Sequence, residues 1–340
     1  MGRKNKQYRK DLHQQAYERL KGMQAFGQSK AQAKQDGSDR DKIYSFSTYQ
    51  TYWKHIKYFL RWLQIAHPEC RTLKAAKKYV NEWLQIRIEQ GLSARTIHTE
   101  TAALCKLFQI PPDGPKRFQP PQRHREDIKR SRGDAVRDKH FSAKNNDELI
   151  KFVCATGTRR NVLERLEGRD LWSREQMIVE VAKLMAKSSL TENERRHLES
   201  VRDALEIFPD QAYFVHHRRD KNGKSRFAPI IGPNASQVVE RMRNTGADEQ
   251  VWKYIPGAMD VHSYRAEYAT DLYKLYAREI KDIPYDRVNQ GTGRGYQSDV
   301  YVCRKDEARK KLDKAAMRKC SKALGHNRLN VVADNYIRGI

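Results

Sequence analysis

The sequence predicts a mainly α fold with a small β component (α+β), divided between two domains. Helical apolar periodicity recurs along both halves of the 340 residues. Only two stretches, 212–231 and about 296–312, combine strand-forming residues with a turn. Between the halves, proline and charged residues are concentrated in a segment that predicts no packed element.

The charge of the chain predicts a polyanionic partner. Lys and Arg number 67 against 42 Asp and Glu, for a formal net charge of +25. Such an excess attracts polyanions, most simply nucleic acid. A ribosomal protein or a merely solubilising surface is the alternative interpretation.

Cysteine usage and hydropathy indicate a cytoplasmic, nucleoid-associated protein. The five cysteines are scattered, with no CxxC pair and no zinc-ligand spacing, which is typical of reduced thiols. No apolar run approaches the roughly 18 residues of a membrane span, and the first residues lack a secretory signal. No metal site and no cofactor are predicted.

Composition predicts four segments. Residues 1–44 form a basic arm or a loosely held helix that orders on DNA, and 45–112 form a helical domain. Residues 113–140 are a basic linker, which either wraps a duplex or serves as a solvated tether. Residues 141–340 form the second domain.

Three helices are predicted in the first domain. The first starts at Ser45 or Ser47, the second spans 73–90 and stops at Gly91, and the third spans 93–110 with Ser93 as its N-cap. The first helix has an inner apolar stripe of Tyr52, Ile56, Phe59, Leu60 and Leu63. The outer faces are cationic, and the candidates for contact with DNA phosphates are Lys54, Lys57, Arg95 and Lys106.

The second domain is predicted to mix helices with two strand pairs. Helices are expected over 145–155, 159–167 and 173–208, and again from His262. The segment 212–231 reads as strand, Lys-Asn-Gly-Lys turn and strand. A second turn and strand pair is expected near 296–312.

Four short stretches of this domain have residues suited to phosphoryl chemistry. They are "TGTRR" at 156–160, "DKNGKSR" in the first hairpin, "VHSYRAEYAT" at the helix that follows, and "LGHNRLNVVADNY" near the last residue. Their candidate catalytic residues are Arg159, Lys221, His262, Arg265, His326 and Tyr336.

In this order, the four stretches resemble the tyrosine recombinase and phage integrase family, whose pattern is Arg, Lys, His-x-x-Arg, Gly-His and Tyr. "STYQTYWKHIKYFLRWL" and "GLSARTIHTETAALCKLF" resemble the helical, SAM-like core-binding domain of that family. The resemblance implies a core-binding domain followed by a recombinase catalytic domain. It also implies double-stranded DNA as the partner, a tetramer on paired sites, and in some systems an accessory directionality factor.

By this resemblance, each candidate has a role. Tyr336 is the nucleophile that forms a 3′-phosphotyrosyl link, and two guanidiniums bind the non-bridging phosphate oxygens. The two guanidiniums are those of Arg159 and Arg265. His262 accepts or orients the tyrosine proton, and His326 donates a hydrogen bond to the phosphate. Lys221 protonates the leaving 5′ oxygen.

Some assignments have alternatives within the sequence. Arg160 is a rival of Arg159, and Lys224 is a rival of Lys221. The family often has an acidic residue three positions after the first arginine, where this chain has Val162. The sequence therefore indicates no supporting carboxylate for that arginine.

The predicted function is site-specific recombination that integrates or excises a mobile element. Alternatives with similar chemistry are a tyrosine transposase, a dimer or telomere resolvase, and a type IB topoisomerase. An inactive DNA-binding relative is the alternative from a different class.

Overall fold

The computed structural model describes residues 11–115, 117–124, 141–218, 220, 225–283, 299–304, 307–326, 328–337 and 339–340. Over these residues the fold is mainly α with two small antiparallel sheets, which confirms the predicted fold class. The chain divides into two compact units, Met1–Asp127 and Ile128–Ile340. In the described part of the chain, no helix combines the length and apolar character needed to cross a membrane.

The first unit is helical throughout its regular structure. Its helices are α1 (Leu12–Gly22), α2 (Lys30–Gln35), α3 (Phe46–Ala66), α4 (Leu73–Ala76), α5 (Val80–Glu89) and α6 (Ala94–Leu107). Ser45 caps α3 and Ser93 caps α6, because each hydroxyl accepts a hydrogen bond from a first-turn amide at 3.2–3.3 Å. The helix predicted over 73–90 is interrupted by a 3₁₀ turn at Lys77–Tyr79.

Helix α1 belongs to the core of the first unit rather than to a loosely held arm. Leu12, Ala16 and Leu20 recur every fourth residue, are buried, and pack in the same cluster as Ile56 of α3. The helix starts at Asp11, whose carboxylate accepts a 2.7 Å hydrogen bond from the amide of Gln14. The polar composition of this segment conceals a narrow apolar stripe, which explains the difference from the expectation. Residues 1–10 of the predicted arm lie outside the described residues.

The second unit has helices around two small sheets. The helices are α7 (Asp147–Thr156), α8 (Arg160–Leu163), α9 (Arg174–Met185), α10 (Glu192–Ile207), α11 (Ala235–Arg243), α12 (Val261–Tyr276), α13 (Lys314–Ala323) and α14 (Leu329–Asn335). The strands are β1 (Leu171–Ser173), β2 (Tyr213–His217), β3 (Arg226–Pro229), β4 (Val300–Val302) and β5 (Lys311–Asp313). One sheet has the antiparallel order β1-β2-β3, and β4 pairs with β5.

Both predicted strand pairs are present, and the predicted helix over 173–208 is two helices. A new helix begins at Thr191, because Thr191 and Glu194 form a reciprocal capping box. The helix predicted over 159–167 is only the four-residue α8, and sequence reasoning missed α11.

Helix α12 is the central element of the second unit. Val261 and Tyr264 belong to one apolar cluster, whereas Tyr268 and Leu272 belong to another. The helix contacts both α7 and α13. Arg265 on the inner face of α12 is fully buried, so its guanidinium needs hydrogen-bond partners within the protein.

Candidate active site

Four of the six predicted catalytic residues come together in the second unit. Arg159 is the N-cap residue of α8, and Arg265 lies on α12. His326 follows α13, and Tyr336 is the C-cap residue of α14. Residues from four separate elements thus meet at the end of α13.

The carbonyl of Leu324 joins the two predicted arginines. It accepts a hydrogen bond from Nη2 of Arg159 at 3.1 Å and from Nη2 of Arg265 at 2.5 Å. Arg265 also donates through Nη1 to the carbonyl of Gly157. The last carbonyls of a helix have a partial negative charge, so the end of α13 attracts these cations.

Tyr336 lies beside this arginine pair. Its ring centroid is 5.1 Å from that of His326 and 5.6 Å from the guanidinium carbon of Arg265. The hydroxyl of Thr270 donates to the Tyr336 carbonyl at 3.1 Å, and the neighbouring Ile337 is buried in the core. Packing therefore fixes the backbone at Tyr336.

His326 is a neutral imidazole at neutral pH. Burial, followed by the charges of Arg265 and Arg159, lowers its pKa to about 3. Its Nε2 atom is buried and has no hydrogen-bond partner among the described residues. A neutral imidazole can donate one hydrogen bond, so this atom is available for a ligand.

Sequence reasoning missed a carboxylate and a third arginine in this cluster. Asp220 accepts hydrogen bonds from Nη1 of Arg159 and, at 2.9 Å, from Nε of Arg226. Burial opposes ionisation of this carboxyl, but the charges of Arg226, His217 and Arg159 hold the pKa of Asp220 far below its usual range. Val162, which occupies the position of the expected acidic residue, is buried in the core.

A cross-strand pattern could have revealed Arg226. His217 and Arg226 are register partners at the end of the β2–β3 pair where the chain passes from one strand to the other. Both are buried, and Nη2 of Arg226 lies 2.7 Å from Nδ1 of His217. Buried polar residues opposite each other in an otherwise apolar strand pair indicate a shared partner.

Two glycines allow the close approach of these elements. Gly325 has φ +68°, and a Cβ atom there would lie 2.9 Å from Nε of Arg226. Gly157 has φ +58°, and its Cβ would lie 2.2 Å from the ring of Tyr268. Any other residue would be strained at both positions and would displace these neighbours.

Arg159 and its rival Arg160 have different surroundings. The guanidinium of Arg160 donates to the carbonyls of Pro256 at 2.8 Å and Met259 at 2.9 Å. Arg160 therefore holds the loop before α12, whereas Arg159 joins the arginine cluster.

The other two predicted catalytic residues, His262 and Lys221, are not among the four that come together. His262 is exposed on the first turn of α12, one turn before the buried Arg265. Lys221 and its rival Lys224 lie outside the described residues.

Positive charge exceeds negative charge in the cluster. In the part of the chain that the structure describes, the cluster combines the guanidiniums of Arg159, Arg226 and Arg265 with one carboxylate, that of Asp220. Burial, and then the charges of the other two arginines, lower the pKa of Arg265 to about 9. A cleft of about 790 Å³ opens beside His326 and Arg226, with α10 as one wall. Within the described ranges, no group of three or more His, Cys, Asp or Glu side chains could hold a metal ion.

The predicted DNA-contacting cations of the first unit differ in exposure. Lys54 on α3 and Arg95 on α6 are exposed, whereas Lys57 and Lys106 are half-buried. The ammonium of Lys106 donates to the carbonyl of Arg40, and burial lowers its pKa. Lys106 therefore already has a partner within the unit.

Comparison with known proteins identifies the first unit. Residues 39–110, from just before α3 to the end of α6, match the family model of the phage integrase N-terminal SAM-like domain. This match supports a relationship to the integrases of the tyrosine recombinase family, whose members bind DNA. It does not extend to the second unit. No curated protein matches the chain.

Proposed function

We propose that the protein is a site-specific DNA recombinase that integrates or excises a mobile element. The observation that carries this proposal is the excess of buried guanidinium charge beside a tyrosine ring. A buried cationic cluster is costly unless an anion compensates it, and a phosphodiester has suitable charge and oxygen atoms. The similarity of residues 39–110 to an integrase domain supports DNA as the source of that phosphodiester.

The proposed reaction is a transesterification. The hydroxyl oxygen of Tyr336 attacks the scissile phosphorus, and the bond from phosphorus to the 5′ oxygen breaks. The strand stays attached to the protein through its 3′ phosphate. A 5′ hydroxyl of the partner strand then attacks this link, releases the tyrosine and rejoins the DNA. The covalent link conserves the phosphodiester energy, so no external energy source is consumed.

Two proton transfers accompany strand cleavage. A tyrosine hydroxyl is almost fully protonated at neutral pH, so the attack needs a proton acceptor, for which His262 is the candidate. The leaving 5′ oxygen takes up a proton, for which Lys221 is the candidate donor. These two roles rest on the family resemblance.

The cationic cluster stabilises the transition state. The five-coordinate phosphorus has more negative charge on its non-bridging oxygens than the starting phosphodiester. The carbonyl of Leu324 orients the guanidiniums of Arg159 and Arg265, which by the resemblance are the groups that bind these oxygens. Nε2 of His326 can donate a further hydrogen bond. One such preorganised donor contributes about 10²- to 10³-fold in rate.

The proposed assembly is a tetramer on two paired sites. Each protomer binds duplex DNA through both units, with exposed cations such as Lys54 and Arg95 on phosphates. Strands are exchanged one at a time, through a four-way junction. An accessory directionality factor is a further candidate partner.

Covalent trapping tests this proposal. Duplexes bound by the full-length protein are selected from a random library, nicked at successive positions, and incubated with the protein in EDTA. A nick beside the cleavage point lets the short 5′-hydroxyl fragment diffuse away, so the adduct accumulates. We expect a denaturant-stable protein–DNA adduct that Tyr336→Phe abolishes without loss of DNA binding.

The outcomes separate the alternative functions. Specific binding without an adduct on any nicked strand would indicate an inactive DNA-binding relative. Relaxation of supercoiled DNA by monomers, without sequence preference, would indicate a type IB topoisomerase. An adduct that persists in Tyr336→Phe would assign the nucleophile to another residue.

A further inference from the structure

We propose that Asp220 and Arg226 are a positioning pair for strand cleavage. Asp220 orients the guanidinium of Arg159, and Arg226 holds the turn that presents His326. Neither residue belongs to the six positions that the resemblance implies. This inference rests on the proposed function and deepens it.

Arg226 has the contacts of a structural link rather than of a phosphate ligand. Its three guanidinium nitrogens each have a protein partner. Nε meets Asp220, Nη1 meets the carbonyl of Ala323, and Nη2 meets His217. Arg226 as a whole residue is only 7% exposed. Arg226 thus ties the β2–β3 pair to the end of α13.

This link controls the position of His326 through the adjoining turn. The carbonyl of Ala323 is the last of α13, and Gly325 packs directly on the Arg226 side chain. The amide of His326 then donates to the Ser321 carbonyl at 2.8 Å, which closes the turn. Displacing Arg226 would free the turn on which the histidine depends.

Asp220 connects the link to the phosphate-binding side of the site. One carboxylate oxygen accepts from both Nη1 of Arg159 and Nε of Arg226. Leu324 holds the other terminal nitrogen of Arg159, so two contacts together fix the guanidinium plane. Asp220 also offsets the repulsion between the two cations, whose charges face the same oxygen. The side chain of Asp220 is 2% exposed, so solvent screens these interactions little.

The test compares Asp220→Asn with Asp248→Asn. Asp248 belongs to an exposed ion pair with Arg169, so its substitution matches the chemical change outside the site. Cleavage rate is measured at saturating nicked DNA, alongside DNA affinity and the melting temperature. We expect Asp220→Asn to slow cleavage about 10- to 100-fold, because misplaced catalytic groups lose about this much. DNA affinity should hold or rise, because a negative charge is removed from the site.

A double-mutant cycle distinguishes positioning from a general structural effect. If Asp220 acts through Arg159, Asp220→Asn should cost little further rate in an Arg159→Ala background. Arg226→Lys keeps the charge but loses the forked contacts, so it should also slow cleavage while DNA binding persists.

Several outcomes would overturn the inference. The inference would be wrong if Asp220→Asn cleaved DNA at the wild-type rate. It would also be wrong if Asp220→Asn slowed cleavage by the same factor in the wild-type and in the Arg159→Ala background. A parallel loss of DNA affinity and melting temperature would assign the pair a structural role only. These results leave wild-type adduct formation intact, whereas failure of the proposed function removes the adduct from the unsubstituted protein itself.

Discussion

A buried cluster built around a carboxylate, Glu100 in the first unit and Asp220 in the second, lies in each unit, and these two clusters differ in their charge balance. In the first unit, the fully buried carboxylate of Glu100 accepts from Arg87 at 3.0–3.3 Å, and Nδ1 of His55 lies 3.1 Å away. One carboxylate therefore meets one guanidinium and one imidazole. Burial opposes ionisation of the Glu100 carboxyl, but hydrogen bonds and charges from both partners lower its pKa overall.

The second cluster has an excess of positive charge. Among the described residues, Arg159 and Arg226 share the carboxylate of Asp220. Helix-end carbonyls and Nδ1 of His217 are the other partners of the three arginines Arg159, Arg226 and Arg265. In the first cluster, charges of both signs meet within the protein, so removing one partner leaves the other uncompensated. For the second cluster, the proposed function supplies the compensating anion from the DNA backbone.

The strongest test of this difference removes one cation from the second cluster. Arg265→Gln should slow cleavage about a thousandfold, or about 4 kcal/mol in activation free energy, because a preorganised phosphate ligand is lost. The melting temperature without DNA should fall little or rise, because a buried charge with too few counter-ions is removed. Single-turnover cleavage and thermal unfolding measure the two effects.

Arg169→Gln is the matched control, since Arg169 forms an exposed ion pair in the same unit. It should change neither quantity. Unaltered cleavage in Arg265→Gln would remove Arg265 from the proposed phosphate site.

The corresponding change in the first unit should affect stability instead. Glu100→Gln leaves the half-buried Arg87 without its counter-ion, and we expect a loss of about 3 kcal/mol in the free energy of unfolding. The cleavage rate of the folded fraction at saturating DNA should not change. Denaturant unfolding followed by tryptophan fluorescence measures the loss.

Glu82→Gln tests the same substitution on an exposed partner of His67. Its expected effect is below about 1 kcal/mol. Equal losses in the two variants would show that the Glu100 cluster contributes no more than a surface pair.

Mild acid should lower the stability of the second unit more than that of the first. The pKa of His326 is about 3 in the folded state against an ordinary 6.5, so below 6.5 the unfolded chain binds a proton that the folded chain does not. The stability of the second unit therefore falls as the pH drops below 6.5. Glu100 has a pKa below its ordinary 4.5, so its contribution is lost only below 4.5.

Hydrogen exchange measured by mass spectrometry at pH 7 and about pH 5, corrected for intrinsic rates, compares the two units. Peptides of the second unit should lose more protection, and His326→Gln should reduce that loss. Equal losses in both units would contradict this prediction.

The smallest effect concerns cations on the surface of the first unit. Lys54→Gln should lower the slope of log affinity against log salt by about 0.9, the value of one phosphate contact. Lys106→Gln should leave the slope unchanged, because the Lys106 ammonium already binds the carbonyl of Arg40. DNA-binding titrations at several salt concentrations measure both slopes. Identical slopes for the two variants would contradict the expectation that Lys54, but not Lys106, contacts a phosphate.

Patterns that are local in the chain were predictable. The inner stripe and Ser45 cap of α3, the Ser93 cap of α6 and the β2–β3 pair depend on neighbours within a few residues. The missed break at Thr191 was also local, because its capping box is visible in the sequence. The predicted roles of the six catalytic candidates derive from their order along the chain, and these roles stay predictions.

The amino-acid sequence by itself determined the helical periods, the caps, the cationic charge and the order of the chemical residue types. Only the tertiary structure decided that Asp220 joins Arg226 to Arg159, that Arg160 binds a loop instead, and that His262 is exposed. The reason is physical. Periodicity and capping act between residues close in sequence, whereas the charge balance of a buried site depends on which distant side chains the packing of α12 and α13 brings together.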